Sequence, residues 1–187
     1  MGERADPLDL IDCSALAKVA MRTNPYGESR HALAERFGVQ FGRAERDPDG
    51  VLVVGALPGG WLFIGQPGLA PELVERERRI NADEPVSILD LTHASVLLRL
   101  SGARAADLFA KICLVDLADR SVPDGGVLRT AVAGVTATII RDDGGGTAAG
   151  ARSYLLLADR SYGDYLVEVL LDAGAELGIT MAGGFGG

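Results

Sequence analysis

Short apolar runs separated by glycine- and proline-containing turns constrain this chain more than any other feature of its sequence. The clearest runs form two pairs, at 51–54 with 61–64 and at 127–133 with 135–141. Leu57-Pro58-Gly59-Gly60 separates the first pair, and Gly134 separates the second. Apolar runs of this length between such turns are typical of β-strands joined in hairpins. The sequence therefore predicts a fold that depends on antiparallel sheet.

Helical periodicity follows two of the predicted strand groups. Apolar residues recur at helical spacing at Ala105, Leu108, Phe109 and Ile112, and again at Tyr162, Tyr165, Leu166, Val169 and Leu170. We interpret Ser101 and Ser161 as the N-caps of these two helices. The alternation of strands and helices predicts an α+β fold of antiparallel sheets with packed helices, resembling ferredoxin-like split βαβ units.

The chain divides into three predicted segments. Residues 1–38 contain few large apolar side chains, and Leu8, Leu10, Leu16 and Val19 fit a short amphipathic helix, so we expect an arm packed on a partner subunit. Residues 39–180 form the predicted domain, which begins with an alternating strand at 39–46. Residues 181–187 are a glycine-rich tail that either frays or lies on a partner.

Composition excludes several classes of function. The net charge of −8 argues against nucleic-acid binding, which depends on Lys and Arg at phosphates. No window of about 18 residues is apolar and uncharged, which predicts no membrane-spanning helix. The acidic start of the chain does not fit a signal peptide. Cys13 and Cys113 lie in no metal-binding motif, so we expect reduced thiols, no metal site and a cytoplasmic protein.

Few residues have side chains and sequence contexts that suggest catalysis or binding, and each of these sequence signals is weak. The glycines at 144–150 lack the Lys and Ser or Thr of a phosphate-binding loop, so we interpret them as a mobile loop. We interpret Asp142-Asp143 as a solvated turn, with a metal or acid–base role as the alternative. His93 is interpreted as a strand-end residue hydrogen-bonded to backbone, with a proton shuttle as the alternative. His31 is interpreted as a solvated surface residue.

Several segments in a fixed order resemble one family. The first are Trp61-Leu62-Phe63-Ile64-Gly65, Asp90-Leu91-Thr92-His93, Leu98-Arg99-Leu100-Ser101-Gly102-Ala103 and Asp107-Leu108-Phe109-Ala110-Lys111. The later ones are Val115-Asp116-Leu117, Arg129-Thr130, Ile139-Ile140-Arg141-Asp142, Tyr154-Leu155-Leu156-Leu157 and Leu170-Leu171-Asp172-Ala173-Gly174-Ala175-Glu176. Together, over about residues 50–180, they resemble the gamma subunits of heterotetrameric sarcosine oxidase, a branch of the aminomethyltransferase (T-protein) folate-binding superfamily.

The resemblance implies a fold without the family's chemistry. T-proteins carry an acidic pair on a hairpin that positions the folate amine, and Ala137 and Thr138 align with that pair here. A methyl group and a hydroxyl cannot perform its proton chemistry. We therefore expect no catalytic, cofactor-binding or metal-binding residues in this chain.

The resemblance also implies partners. In that family, subunits of alpha, beta and delta type carry FAD, FMN, NAD, tetrahydrofolate and zinc, and the complex oxidatively demethylates sarcosine or a related N-methyl amine. The one-carbon unit passes to tetrahydrofolate or leaves as formaldehyde. We expect a structural or assembly role for this chain, with candidate interface residues Trp61, Phe185, Leu8, Leu16 and Val19. Trp61 as a core residue is the simpler alternative. A stand-alone folate-binding protein or aminomethyltransferase is the competing hypothesis.

Overall fold

A computed structural model describes residues 7–80, 85–146 and 151–182. The strands are β1 (Leu8–Asp12), β2 (Ala17–Arg22), β3 (Ala44–Arg46), β4 (Leu52–Leu57), β5 (Gly60–Gly65), β6 (Ser87–Asp90), β7 (Ser95–Ser101), β8 (Val127–Val132), β9 (Val135–Arg141), β10 (Ser153–Asp159) and β11 (Ile179–Ala182). The helices are α1 (Ser29–Phe37), α2 (Ala70–Arg78), α3 (Ala105–Ile112) and α4 (Gly163–Gly174). The predicted α+β class with mainly antiparallel sheets is confirmed.

The first compact unit consists of residues 1–13 and 95–187. Its six-stranded sheet has the order β11-β1-β7-β10-β9-β8, and only the β1–β11 pair in this sheet is parallel. Every residue of the central strand β7 is buried, which explains its nearly continuous apolar run. Leu108 and Phe109 of α3 and Leu166 and Leu170 of α4 pack with strand residues in one apolar cluster.

The second unit consists of residues 14–94. Its five-stranded sheet has the order β3-β4-β5-β2-β6. Leu33 of α1 and Leu73 of α2 pack with Val19 and Phe63 from the strands in a separate apolar cluster. The predicted turn at Asp47–Gly50 is confirmed, because the Gly50 amide donates to the Asp47 carbonyl at 2.9 Å and Gly50 has a φ of 81°.

The first 38 residues differ from the predicted arm. The helix expected from the spacing of Leu8 to Val19 is wrong, since this segment forms β1 and β2. Each is an internal strand: β1 lies between β11 and β7, and β2 lies between β5 and β6. Leu8 and Val19 are therefore buried within their own units rather than presented to a partner. Leu16 is half-buried, and Phe185 lies outside the described residues.

Three further local predictions need correction. Ser101 does not cap α3, because it lies in β7 and its hydroxyl donates to Ser153 Oγ. Ser161 does not cap α4 either; Asp159 accepts a hydrogen bond from the Ser161 amide at the preceding short 3₁₀ turn. The strand predicted at 39–46 is limited to β3. The hairpin about Gly134 is confirmed.

Candidate functional site

The β8–β9 hairpin holds Ala137 and Thr138, the two positions for which the family resemblance predicts an alignment with an acidic pair. Ala137 pairs with Thr130, and Thr138 pairs with Arg129 across the hairpin. Both side chains are buried, at 2% and 7% exposure. Ala137 belongs to the apolar cluster of its unit. Neither side chain offers a carboxylate that could pair with a charged amine or transfer a proton.

A buried ion pair lies at the end of the same hairpin. Arg99 Nη2 of β7 is 2.7 Å from Asp142 Oδ2, and their side chains are only 8% and 6% exposed. Arg99 Nη1 also donates to Ser153 Oγ at 2.6 Å and to the Asp142 carbonyl at 3.2 Å. A β-carbon on Gly145 would lie 2.3 Å from Asp142 Oδ2, so the chain passes directly over the pair. The interpretation of Asp142 as part of a solvated turn is therefore wrong.

A second arginine organises the next residues of this connection. Arg141 donates to both carboxylate oxygens of Asp143 and to Asp119 Oδ1 at 2.6 Å. The hydrogen bonds to Asp143 raise the pKa of the Arg141 guanidinium above its ordinary value. Hydrogen bonds from Arg152 and then Arg141 lower the pKa of the exposed Asp119 carboxyl. These arginines and carboxylates satisfy one another, so the cluster holds the residues that directly follow β9 and precede β10 in a structural rather than an acid–base arrangement.

The histidines and cysteines do not assemble a metal centre. His31 is exposed, as predicted, with its Nε2 2.8 Å from Arg30 Nη2. His93 is exposed in the turn after β6. Hydrogen bonds from Thr92 lower the pKa of the Asp90 carboxyl, and the electrostatic interaction with His93 lowers it by a smaller amount. No disulfide joins Cys13 and Cys113. Over residues 7–80, 85–146 and 151–182, no group of three His, Cys, Asp or Glu side chains could hold a metal ion.

The candidate interface site is a groove beside Trp61 in the unit of residues 14–94. The Trp61 side chain comes from β5 and is 4% exposed. Its Nε1 donates to the Val39 carbonyl at 2.9 Å, and its ring lies 5.4 Å from that of Phe37. The groove has a volume of about 690 Å³. Its lining consists of Arg30, His31, Ala34, Glu35, Gly38, Gln40, Phe41, Leu57, Pro58, Gly59 and Trp61.

Phe41 is the exposed aromatic side chain of this groove, at 63% exposure. Close backbone packing holds its segment: the Gly42 amide donates to the Gly55 carbonyl at 2.9 Å, and a β-carbon on Gly55 would lie 2.1 Å from the Gln40 carbonyl oxygen. Gly55 is therefore required for the approach that positions Phe41. The arrangement offers a concave apolar surface with a fixed aromatic wall, which suits an apolar side chain of a partner.

The sequence singled out Trp61 for this surface but missed Phe41. Trp61 is buried, as expected of a core residue, and it also lines the groove. Its contact with a partner stays a prediction. The strand predicted at 39–46 includes Phe41, but the structure has a turn at this residue. The sequence feature that points to an exposed position here is a large aromatic residue directly before a glycine, Gly42, outside a regular strand.

None of the helices in the described ranges is long and apolar enough to cross a membrane.

Comparison with known proteins identifies relatives along nearly the whole chain. No protein-family model matches it. The sarcosine oxidase gamma subunit of Corynebacterium sp. strain P-1 is 29% identical over 181 residues, covering 94% of this chain and 84% of the relative. The gamma subunit of strain U-96 is 26% identical over 179 residues, covering 94% and 82%.

Solved structures share the fold. A chain of the heterotetrameric sarcosine oxidase from Corynebacterium sp. U-96, crystallised with pyrrole 2-carboxylate, matches with a TM-score of 0.75 and 24% identity, over 98% of this chain and 90% of that one. The aminomethyltransferase T of the glycine cleavage system from Bartonella henselae matches with a TM-score of 0.69 and 15% identity, over 96% of this chain and 49% of that one.

The chain thus has the aminomethyltransferase-like fold, and it corresponds to about half of the aminomethyltransferase it matches. Within that class, the resemblance to the sarcosine oxidase gamma subunits that the ordered motifs indicated is confirmed, because two such subunits align with 94% of the chain.

Proposed function

We propose that this chain is the non-catalytic gamma-type subunit of a heterotetrameric sarcosine oxidase-like complex, with a structural or assembly role. The observation that carries the proposal is the similarity to gamma subunits along nearly the whole length of both proteins. Because the chain covers most of each relative, the similarity is not limited to one shared motif.

The absence of a carboxylate from the hairpin supports the non-catalytic part of this proposal. Ala137 and Thr138 are buried and cannot hold or deprotonate an amine. We infer that FAD, FMN, NAD, tetrahydrofolate and zinc are carried by subunits of alpha, beta and delta type. In this proposal the complex oxidises sarcosine or a related N-methyl amine, and the one-carbon unit reaches tetrahydrofolate or leaves as formaldehyde. Because Cys13 and Cys113 are not joined in a disulfide, we infer a cytoplasmic location.

The groove beside Trp61 is the surface we assign to assembly in the unit of residues 14–94. An apolar groove with an exposed aromatic wall is stabilised when a partner covers it. Phe41 is the residue to change, because its side chain is mostly exposed and makes little contribution to the apolar cluster of its own unit. A contact of Phe185 with a partner stays a prediction.

The test is purification of the tagged chain from its native cells, followed by native mass spectrometry and an absorption spectrum. We expect larger subunits in stoichiometric amounts and a flavin spectrum. Phe41→Ser should weaken the complex by about tenfold, a loss of about 1.4 kcal/mol, without changing the melting temperature of the chain. Tyr26→Ser, at an exposed aromatic residue outside the lining of the groove, is the matched control. A colourless, monodisperse single chain would contradict the proposal.

A stand-alone folate-binding protein or folate-dependent aminomethyltransferase is the second candidate. Its support is the fold shared with aminomethyltransferase T. It requires measurable binding of tetrahydrofolate by the isolated chain, which calorimetric titration detects. No binding at millimolar tetrahydrofolate would eliminate this alternative.

A further inference from the structure

The tip of the β8–β9 hairpin presents an apolar surface next to the end of α3. Cys113 pairs with Val132 in an antiparallel bridge, and the Ala133 amide donates to the Ile112 carbonyl at 2.7 Å. The side chains of Cys113 and Val132 are buried. Because side chains alternate along paired extended segments, the residue after Cys113 and the residues on either side of Val132 face outward. Those residues are Leu114, Ala131 and Ala133, whereas Ile112 of α3 is half-buried against the apolar cluster of its unit.

Leu114 makes this surface unusual, because its side chain is fully exposed, at 102%. The residue before it is fixed. Cys113 is held by its bridge to Val132, and its amide donates a hydrogen bond to the Phe109 carbonyl at 2.7 Å. A fully exposed leucine on a fixed segment loses little conformational entropy when a partner covers it.

Tyr165 of α4 joins the same surface. Its hydroxyl donates to the Ala133 carbonyl at 3.0 Å, which places the ring beside the hairpin tip. The Tyr165 side chain is nevertheless 46% exposed. A fixed, half-exposed tyrosine is a typical anchor of protein interfaces. We call Leu114, Ala131, Ala133 and Tyr165 together the hairpin-tip surface.

The exposed face of α4 gives this surface its charge. Asp164, Glu168 and Asp172 follow one another at four-residue spacing and are all exposed, and α4 contains no Lys or Arg. Side chains at this spacing lie along one face of a helix. Exposed cations also lie on the neighbouring elements: Lys111 of α3, Arg129 of β8 and Arg160 of the 3₁₀ turn before α4.

These cations leave the later turns of α4 acidic. Lys111 already binds Glu176 and the Ala173 carbonyl. Arg129 is exposed on β8, two residues before Ala131, and Arg160 precedes the first turn of α4. Glu168 and Asp172 lie in the later turns of α4, so this part of the helix favours a positively charged partner.

We propose that the hairpin-tip surface docks a basic segment of another subunit of the complex, with an apolar side chain over Leu114 and Lys or Arg side chains against Glu168 and Asp172. This inference rests on the proposed function and adds the place and the chemistry of one contact. It lies entirely within the unit of residues 1–13 and 95–187.

The test uses the complex purified through this chain. A carbodiimide, which joins carboxylates directly to lysine amines, should link Glu168 or Asp172 to lysines of another subunit, as read by mass spectrometry. The double variant Leu114→Ser, Glu168→Lys should weaken the complex at least tenfold and reduce the sensitivity of assembly to NaCl. Glu72→Lys, at an exposed carboxylate on α2, is the matched control and should assemble like the wild type. Circular dichroism melts check that each variant folds.

The outcomes separate this inference from the proposed function. Weakened assembly of a folded double variant, together with cross-links to another subunit, supports the inference. If the double variant assembles as tightly as the wild type, or Glu168 and Asp172 link only to a second copy of this chain, the inference fails while the complex stands. If the wild-type chain recovers no other subunit, both fail.

Discussion

Removing the Asp142 carboxylate should destabilise this protein far more than removing an exposed carboxylate. In Asp142→Ala, Arg99 would keep its bonds to Ser153 Oγ and to the carbonyl of residue 142, but it would lose its only carboxylate contact within 4 Å among the described residues. Breaking a buried ion pair by removing one partner costs about 3–5 kcal/mol, because the remaining charge stays buried. Since two acceptors remain, we expect the lower end, about 3 kcal/mol.

Urea unfolding followed by circular dichroism measures this loss. With a denaturant slope of about 2 kcal/mol per molar, the midpoint should fall by about 1.5 M. Asp107→Ala breaks the exposed pair with Arg104 and should cost less than about 1 kcal/mol. The double variant Arg99→Met, Asp142→Ala should recover part of the loss, since it removes the uncompensated charge. A midpoint shift for Asp142→Ala no larger than that for Asp107→Ala would refute the reasoning.

Four further substitutions test other parts of the structure. Ala133→Gly relieves a left-handed φ of 49° and should raise the free energy of unfolding by up to about 1 kcal/mol, whereas Gly134→Ala, at a φ of 81°, should lower it by about 1 kcal/mol; urea melts compare the two. Asp119→Asn should be destabilised at pH 7, because two arginine hydrogen bonds lower the pKa of the native carboxyl. That difference from the wild type should be lost as pH falls below about 3.8 through the lowered native pKa, as thermal melts across pH would detect. Gly55→Ala would force a methyl group to 2.1 Å from the Gln40 carbonyl oxygen and should cost at least about 3 kcal/mol in the same urea melts.

Local sequence patterns predict the hairpins and the helices α3 and α4. The turn at Gly134 and the periodic apolar residues of α3 can be predicted locally, because the contacts that form them are close in sequence. Strand β1 is different. Leu10 pairs with Leu100 on one side and with Met181 on the other, so the partners that make it a strand lie far along the chain. Without them, the spacing of its apolar residues fitted a helix.

The buried arginine cluster was missed for a related reason. Arg99 interrupts the apolar strand β7 and Arg141 ends the apolar strand β9, and a charge in a buried strand needs a partner. That rule signals a buried ion pair but does not identify its members. The pairing of strand β10 identifies them. Ser153 lies opposite Ser101 of β7, and Tyr154 lies opposite Arg141 of β9, so the start of β10 lies between β7 and the end of β9.

The buried positions of β9 differ in whether they carry a charge. A carboxylate at a buried position without a partner costs stability, because its desolvation is not compensated. Ala137 and Thr138, within the strand, carry no such cost, and Ala137 extends the apolar cluster. Arg141 at the end of the strand and Asp142 just after it are also buried, but each has an oppositely charged partner. Charge therefore occurs here where an opposite charge compensates for its burial, and it is absent where the surroundings are apolar.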